Sequence, residues 1–201
     1  IGDSHTTGYF GMKLFQLLGA RRYSVSGTAS ERWLRDRICR AGERCNFPSY
    51  ADPSTRTFHT GRPPADFAGL GELLEREDPS LVVIALGTND LHMHECRESA
   101  LQLMHRLIDL VGGRHCVWVG PPLYTQGPLM RSCRNRDNYS SFVSKMRDSI
   151  GTRCHFVDSR EIYKPGTTEP IEADAGDKLH FNRGLGEVWA SAVAEKIPAE
   201  Q

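Results

Sequence analysis

Leu81-Val82-Val83-Ile84-Ala85-Leu86 is an unbroken apolar run, stopped by Gly87. A β-branched run with no polar alternate suits a strand buried on both faces. Strands of that kind belong to parallel sheets covered by helices on either side, so this run alone argues for an α/β architecture. The rest of the chain alternates accordingly. Residues 22–26, 116–119 and 154–157 read as further short strands. Between them, apolar residues recur at helical spacing over residues 8–18, 66–77, 95–111, 137–150 and 184–197, with Gly19 and Gly112-Gly113 as stops. At 201 residues this is most simply one domain. Two stretches lack an apolar period, residues 46–64 and 123–136. They read as long rim loops.

Composition excludes several classes. Twenty-five basic side chains balance 25 acidic ones, so no field for nucleic acid or an anionic membrane is implied. No apolar stretch approaches the length of a membrane-spanning helix. Six cysteines without C-x-x-C spacing argue against a zinc site and for an oxidising compartment. Cys39 and Cys45 flank Gly42 as a local bridge. Cys116 and Cys154 stand level if their strands are parallel neighbours, within disulfide reach. Cys96 and Cys133 remain, both in loops after strands.

Three short clusters carry chemistry. Gly2-Asp3-Ser4-His5 opens the chain, Gly87-Thr88-Asn89-Asp90 follows the apolar strand, and Asp177-Lys178-Leu179-His180 comes near the end. Serine is a poor nucleophile until a base removes its proton, and that base needs a third group to hold its tautomer. Ser4, His180 and Asp177 meet that need, and an offset of three residues lets a carboxylate reach imidazole Nδ1 within one turn. Asn89 offers a side-chain amide. Gly27, in Ser26-Gly27-Thr28, offers a backbone N–H without a Cβ in the way. Taken alone, Ser4 or Asp177 also suits a helix N-cap, and Gly-Thr-Asn-Asp also suits a tight turn.

Together the clusters resemble the SGNH, or GDSL-type, hydrolases, whose blocks are Gly-Asp-Ser, a Gly, Gly-x-Asn-Asp and Asp-x-x-His. His5 stands where that family usually has Leu. The resemblance implies a three-layer α/β/α domain over residues 1–201 with a five-stranded parallel sheet in the flavodoxin-like order 2-1-3-4-5. Because only Ile1 precedes the Gly-Asp-Ser turn, the reading is of a domain lacking most of its first strand and anything upstream. The resemblance also implies a serine esterase working through an acyl-enzyme, with Ser4, Asp177 and His180 catalytic and the Ser4 N–H, Gly27 and Asn89 as oxyanion donors. No cofactor and no metal is expected. The expected substrate is an acylated small molecule or an O-acetylated extracytoplasmic carbohydrate. The rival readings are a thioesterase or lysophospholipase, an acyltransferase between sugars, and a carbohydrate-binding module with a dead site. His92 and His94 alternate without a supporting third ligand, Arg131, Arg134 and Arg136 read as a solvated basic loop, and Trp33, Trp118 and Trp189 as packing residues.

Overall fold

Apolar residues spaced for one helix face account for the five longest helices, and the segments between them are set by pairing and capping. The computed structural model describes residues 1–40, 42–54 and 57–198. In chain order the elements are α1 (Ser4–Thr7), α2 (Tyr9–Leu18), β1 (Ser24–Val25), α3 (Ser30–Trp33), β2 (Ser49–Ala51), β3 (His59–Thr60), α4 (Leu70–Glu77), β4 (Leu81–Ile84), α5 (Thr88–Met93), α6 (Glu98–Val111), β5 (His115–Val119), α7 (Pro128–Ser132), α8 (Arg136–Ile150), β6 (His155–Val157) and α9 (Arg183–Lys196), with a 3₁₀ turn at Ser159–Glu161. Two of the long helices stop as the sequence indicates: α2 at Gly19 and α6 at Gly112, both with positive φ.

β4, β5 and β6 form a parallel sheet, with Val82 level with Cys116 and Trp118 level with Phe156. Its side chains alternate between two cores. Val82, Ile84, Cys116 and Trp118 face α4, α6 and α8 through Leu70, Leu73, Met104, Leu107 and Val143. Val117, Val119 and Val157 face the other way, against Phe10, Leu14, Trp189 and Val193 of α2 and α9. Phe10 and Trp189 stack with ring centroids 3.9 Å apart, which clasps the first long helix to the last. Helices cover both faces of the sheet, as its apolar run requires.

The expected five-stranded parallel sheet is formed only in part. The described residues make two three-stranded sheets instead, β4-β5-β6 in parallel and β1-β2-β3 in antiparallel. Gly2 makes single parallel bridges to Ser24 and to Ala85, so it stands between β1 and β4 without building a strand of its own. The reason is local. Asp3 turns into α1 directly after Gly2, and one bridge on each side does not make a ladder. Gly2 is a close approach: a Cβ there would lie 1.9 Å from Thr6 Oγ1. The stretch 46–64, expected to be a loop, holds β2 and β3, and 123–136 holds α7.

The disulfides are Cys39–Cys45, Cys96–Cys133 and Cys116–Cys154, with Cα separations of 5.9, 5.1 and 4.6 Å. Cys116 and Cys154 enter β5 and β6 level with one another, as parallel neighbours must. Trp33, Trp118 and Trp189 are buried in the two cores. No helix among the described residues is long and apolar enough to cross a membrane.

Candidate active site

Ser4, Gly27 and Asn89 each lie just past a parallel segment at its carboxyl end: Gly2, β1 and β4 respectively. Adjacent parallel segments stand about 4.8 Å apart, so these three residues converge on one edge of the sheet. Asp3 rather than Ser4 is the N-cap of α1, its carboxylate accepting the His5 N–H at 3.0 Å. Ser4 is therefore the first helical residue, and its N–H has no intrahelical acceptor.

The last block completes the arrangement. His180 Nε2 lies 2.7 Å from Ser4 Oγ, and His180 Nδ1 lies 2.5 Å from Asp177 Oδ2. The other oxygen of Asp177 accepts the backbone N–H groups of Leu179 and His180, each at 3.0 Å. Ala175 donates to the carbonyl of His180 and Lys178 to that of Ala175, both at 3.0 Å, closing the turn on itself. Burial acts to raise the Asp177 pKa. The hydrogen bonds from His180 and Leu179, with the positive charge available on His180, outweigh it and hold the carboxyl down to about 2. Asp177 thus remains an acceptor for the ring N–H, and Nε2 is left to face the hydroxyl.

The Gly27 and Asn89 segments are tied together. Asn89 Nδ2 donates to the Thr28 carbonyl at 2.9 Å, which leaves the second amide hydrogen to face outward. Gly27 has φ +81, a conformation side chains resist, and a Cβ there would meet only Phe47 at 3.7 Å. Thr28 Oγ1 donates to Val25 O and accepts from Trp33 Nε1, and Asp90 Oδ1 takes the Ser30 N–H at 2.9 Å. Asp90 is fully buried, and burial pushes its carboxyl up to about 6. Asp3, also buried and facing the charge of Asp90, is pushed up to about 7.

Two buried residues join this site that spacing did not single out for chemistry. Tyr124 Oη lies 2.9 Å from His5 Nε2 and 3.2 Å from the Leu179 carbonyl. The His5 ring centroid is 5.1 Å from that of His180. Other candidates from the sequence sit apart from this arrangement. His92 pairs with Ser132 at 2.6 Å and His94 with Ser99 at 3.2 Å. Arg131 lies in α7 and Arg136 opens α8, with Arg134 between them at φ +72.

An apolar cavity of about 540 Å³ lies near the amino end of β4, lined by Ile1, Leu14, Leu18, Leu73, Leu81 and Ile197 among others. It is large, but none of the five candidate residues lines it. The chemical capacity lies at the carboxyl edge: a hydroxyl with a base in contact and a carboxylate behind the base.

Comparison with known proteins bears on the family and the fold. The GDSL-like lipase/acylhydrolase family matches residues 1–184. Among solved structures, the native aryl esterase of M. smegmatis aligns with a TM-score of 0.62 at 18% identity, covering 98% of this chain and 95% of that one. A carbohydrate acetylesterase family member from Sinorhizobium meliloti aligns at 0.57 and 16%, covering 97% and 93%. A lipase/acylhydrolase from Enterococcus faecalis aligns at 0.54 and 18%, covering 100% and 96%. At these identities the likeness concerns the fold. A search of curated proteins returned no match.

Proposed function

The chain belongs to the GDSL-like lipase/acylhydrolase family, and from that premise we propose that it is a serine carboxylic-ester hydrolase whose residues 1–201 act as one domain. The observation that carries this reading is the unbroken line of contacts from Ser4 Oγ to His180 Nε2 at 2.7 Å and from His180 Nδ1 to Asp177 at 2.5 Å.

In this mechanism Ser4 Oγ attacks the ester carbonyl as His180 Nε2 takes its proton. Asp177 holds the Nδ1–H and stabilises the imidazolium that forms. The carbonyl oxygen gains negative charge, which the N–H groups of Ser4 and Gly27 and the Asn89 amide receive. His180 then returns the proton to the departing alcohol, leaving an acyl group on Ser4. Water attacks that acyl group with His180 as base, the carboxylic acid leaves, and Ser4 regains its proton. Nucleophile, base and donors all come from the chain, so the cycle calls for no cofactor.

For substrate we infer a small acyl group, O-acetyl first, on an extracytoplasmic carbohydrate. Three disulfides support an oxidising compartment. The large apolar cavity lies away from Ser4, which favours a short acyl chain. A fluorophosphonate should label Ser4, and Ser4→Ala should lose both labelling and turnover of an acetyl ester. Labelling at another serine, or full activity in Ser4→Ala, would refute the assignment.

A further inference from the structure

Tyr124 Oη meets all three motif clusters. From the first, His5, the neighbour of Ser4, approaches it with Nε2 at 2.9 Å. From the third, the carbonyl of Leu179, the neighbour of His180, lies 3.2 Å away. From the second, the hydroxyl of Thr88, the neighbour of Asn89, faces the same oxygen. A phenol has one proton to give. A carbonyl can only accept, so Tyr124 donates to Leu179 O and its lone pairs are left for His5 Nε2–H. In this arrangement His5 carries its hydrogen on Nε2, one of the two tautomers that the 2.9 Å contact accommodates.

Both side chains are suited to hold these roles without titrating. Tyr124 is 1% exposed, and burial, reinforced by the charges of Asp3 and Asp177, pushes its phenol well above the usual range. His5 is 6% exposed, and burial, reinforced by His180, pushes its imidazole down to about 3. Its ring is wedged against Phe181 and Trp189 as well as His180. A leucine at this position would fill the same space but offer no N–H.

Resting on the hydrolase reading above, we propose that Tyr124 is a positioning residue. Its hydroxyl, oriented by His5, anchors the Leu179 carbonyl and thereby keeps the His180 ring in line with Ser4. Asp177 holds the ring from within its own turn, and Tyr124 holds the turn against the rest of the site. A misplacement of about 1 Å at a reacting group costs on the order of 10² in rate, so a single anchoring bond is worth a measurable part of that.

The test is Tyr124→Phe, which removes one oxygen from a packed ring. We expect kcat for a short chromogenic ester to fall about tenfold with KM within about twofold, and the fluorophosphonate labelling rate of Ser4 to fall in proportion. His5→Leu should show a similar loss, and His5→Gln, which restores an N–H near the same place, should recover most of it. The double variant His5→Leu/Tyr124→Phe should be no slower than Tyr124→Phe alone, since both break one chain of contacts. Unchanged kcat and labelling in Tyr124→Phe would overturn the proposal, as would equal rates in His5→Leu and His5→Gln. The His5 pair alone decides the matter if Tyr124→Phe does not fold. Ser4→Ala run in parallel separates the two readings. If wild type is not labelled at Ser4, the hydrolase reading falls; if Ser4→Ala is dead while Tyr124→Phe is fully active, only the positioning role falls.

Discussion

Asn89 makes one hydrogen bond to Thr28 O, which orients its amide before any substrate arrives. If the free N–H serves the developing oxyanion, Asn89→Ala should lower kcat by roughly 10²–10³ with KM changed less, measurable by steady-state hydrolysis of an acetyl ester. A change confined to KM would remove Asn89 from that role. Asp90 yields a prediction with a definite sign. Its folded pKa of about 6 stands above its ordinary 3.8, so between the two the folded chain keeps a proton that the unfolded chain has released. The stability it contributes is complete below 3.8 and lost as pH rises through 6. Asp90→Asn, which keeps an acceptor for the Ser30 N–H, should therefore gain thermal midpoint relative to wild type as pH goes from 5 to 8. A constant difference across that range would refute the raised pKa. The contact of Ser4, His180 and Asp177 was legible because each lies in a short block whose residue types suit only a few chemistries. Tyr124 was not: its partners lie 119 and 55 residues away, in a stretch without period, and no local pattern announces a contact of that range.

Elements declared themselves in proportion to their length. α6 and α8 repeat an apolar face over several turns, which is enough to fix type and place. β2 and β3 span three and two residues, too few for any alternation to show, and exist through the pairing of β2 with β1 and with β3 and through stacking of Tyr50 on His59 at 4.7 Å. Strand ends were overestimated for a related reason. Leu86 is as apolar as the strand before it, yet the backbone leaves the sheet there to start the Gly87 turn. The disulfides make a graded prediction. Closing a longer loop removes more freedom from the unfolded chain, about 4 kcal/mol for Cys116–Cys154 against about 2 kcal/mol for Cys39–Cys45. Denaturant unfolding of the paired Cys→Ser variants should show the larger loss for Cys116 and Cys154. Thiol titration of unreduced, denatured protein should find almost none; six free thiols would overturn the pairing and the inferred compartment together.

At the scale of the whole molecule, the apolar cavity of about 540 Å³ and the candidate chemistry lie at opposite ends of the parallel sheet. Each buried CH₂ of an acyl chain is worth about 0.8 kcal/mol, but only where apolar walls reach the reacting carbonyl. We therefore expect kcat/KM to fall steeply from acetyl to octanoyl esters, and acetate to be released from O-acetylated polysaccharide. A rate that climbs with chain length would favour a lipase-like enzyme, and acetyl appearing on an added sugar would favour a transferase. Layering at this scale was legible, since one doubly apolar strand demands helices on both sides. Strand count was not, because one bridge on each side of Gly2 reads from sequence no differently from a full ladder. The clasp of α2 on α9 through Phe10 and Trp189 has a temporal side. During synthesis Ser4 emerges before Gly27 and Asn89, while the Asp177–His180 turn follows β6 and precedes the closing helix. α9 follows that turn directly, so its docking on α2 helps to bring His180 to Ser4. A chain ended at Asn182, which keeps Asp177 and His180 but lacks α9, should leave Ser4 unlabelled by fluorophosphonate if onset of reactivity and completion of the fold are one event.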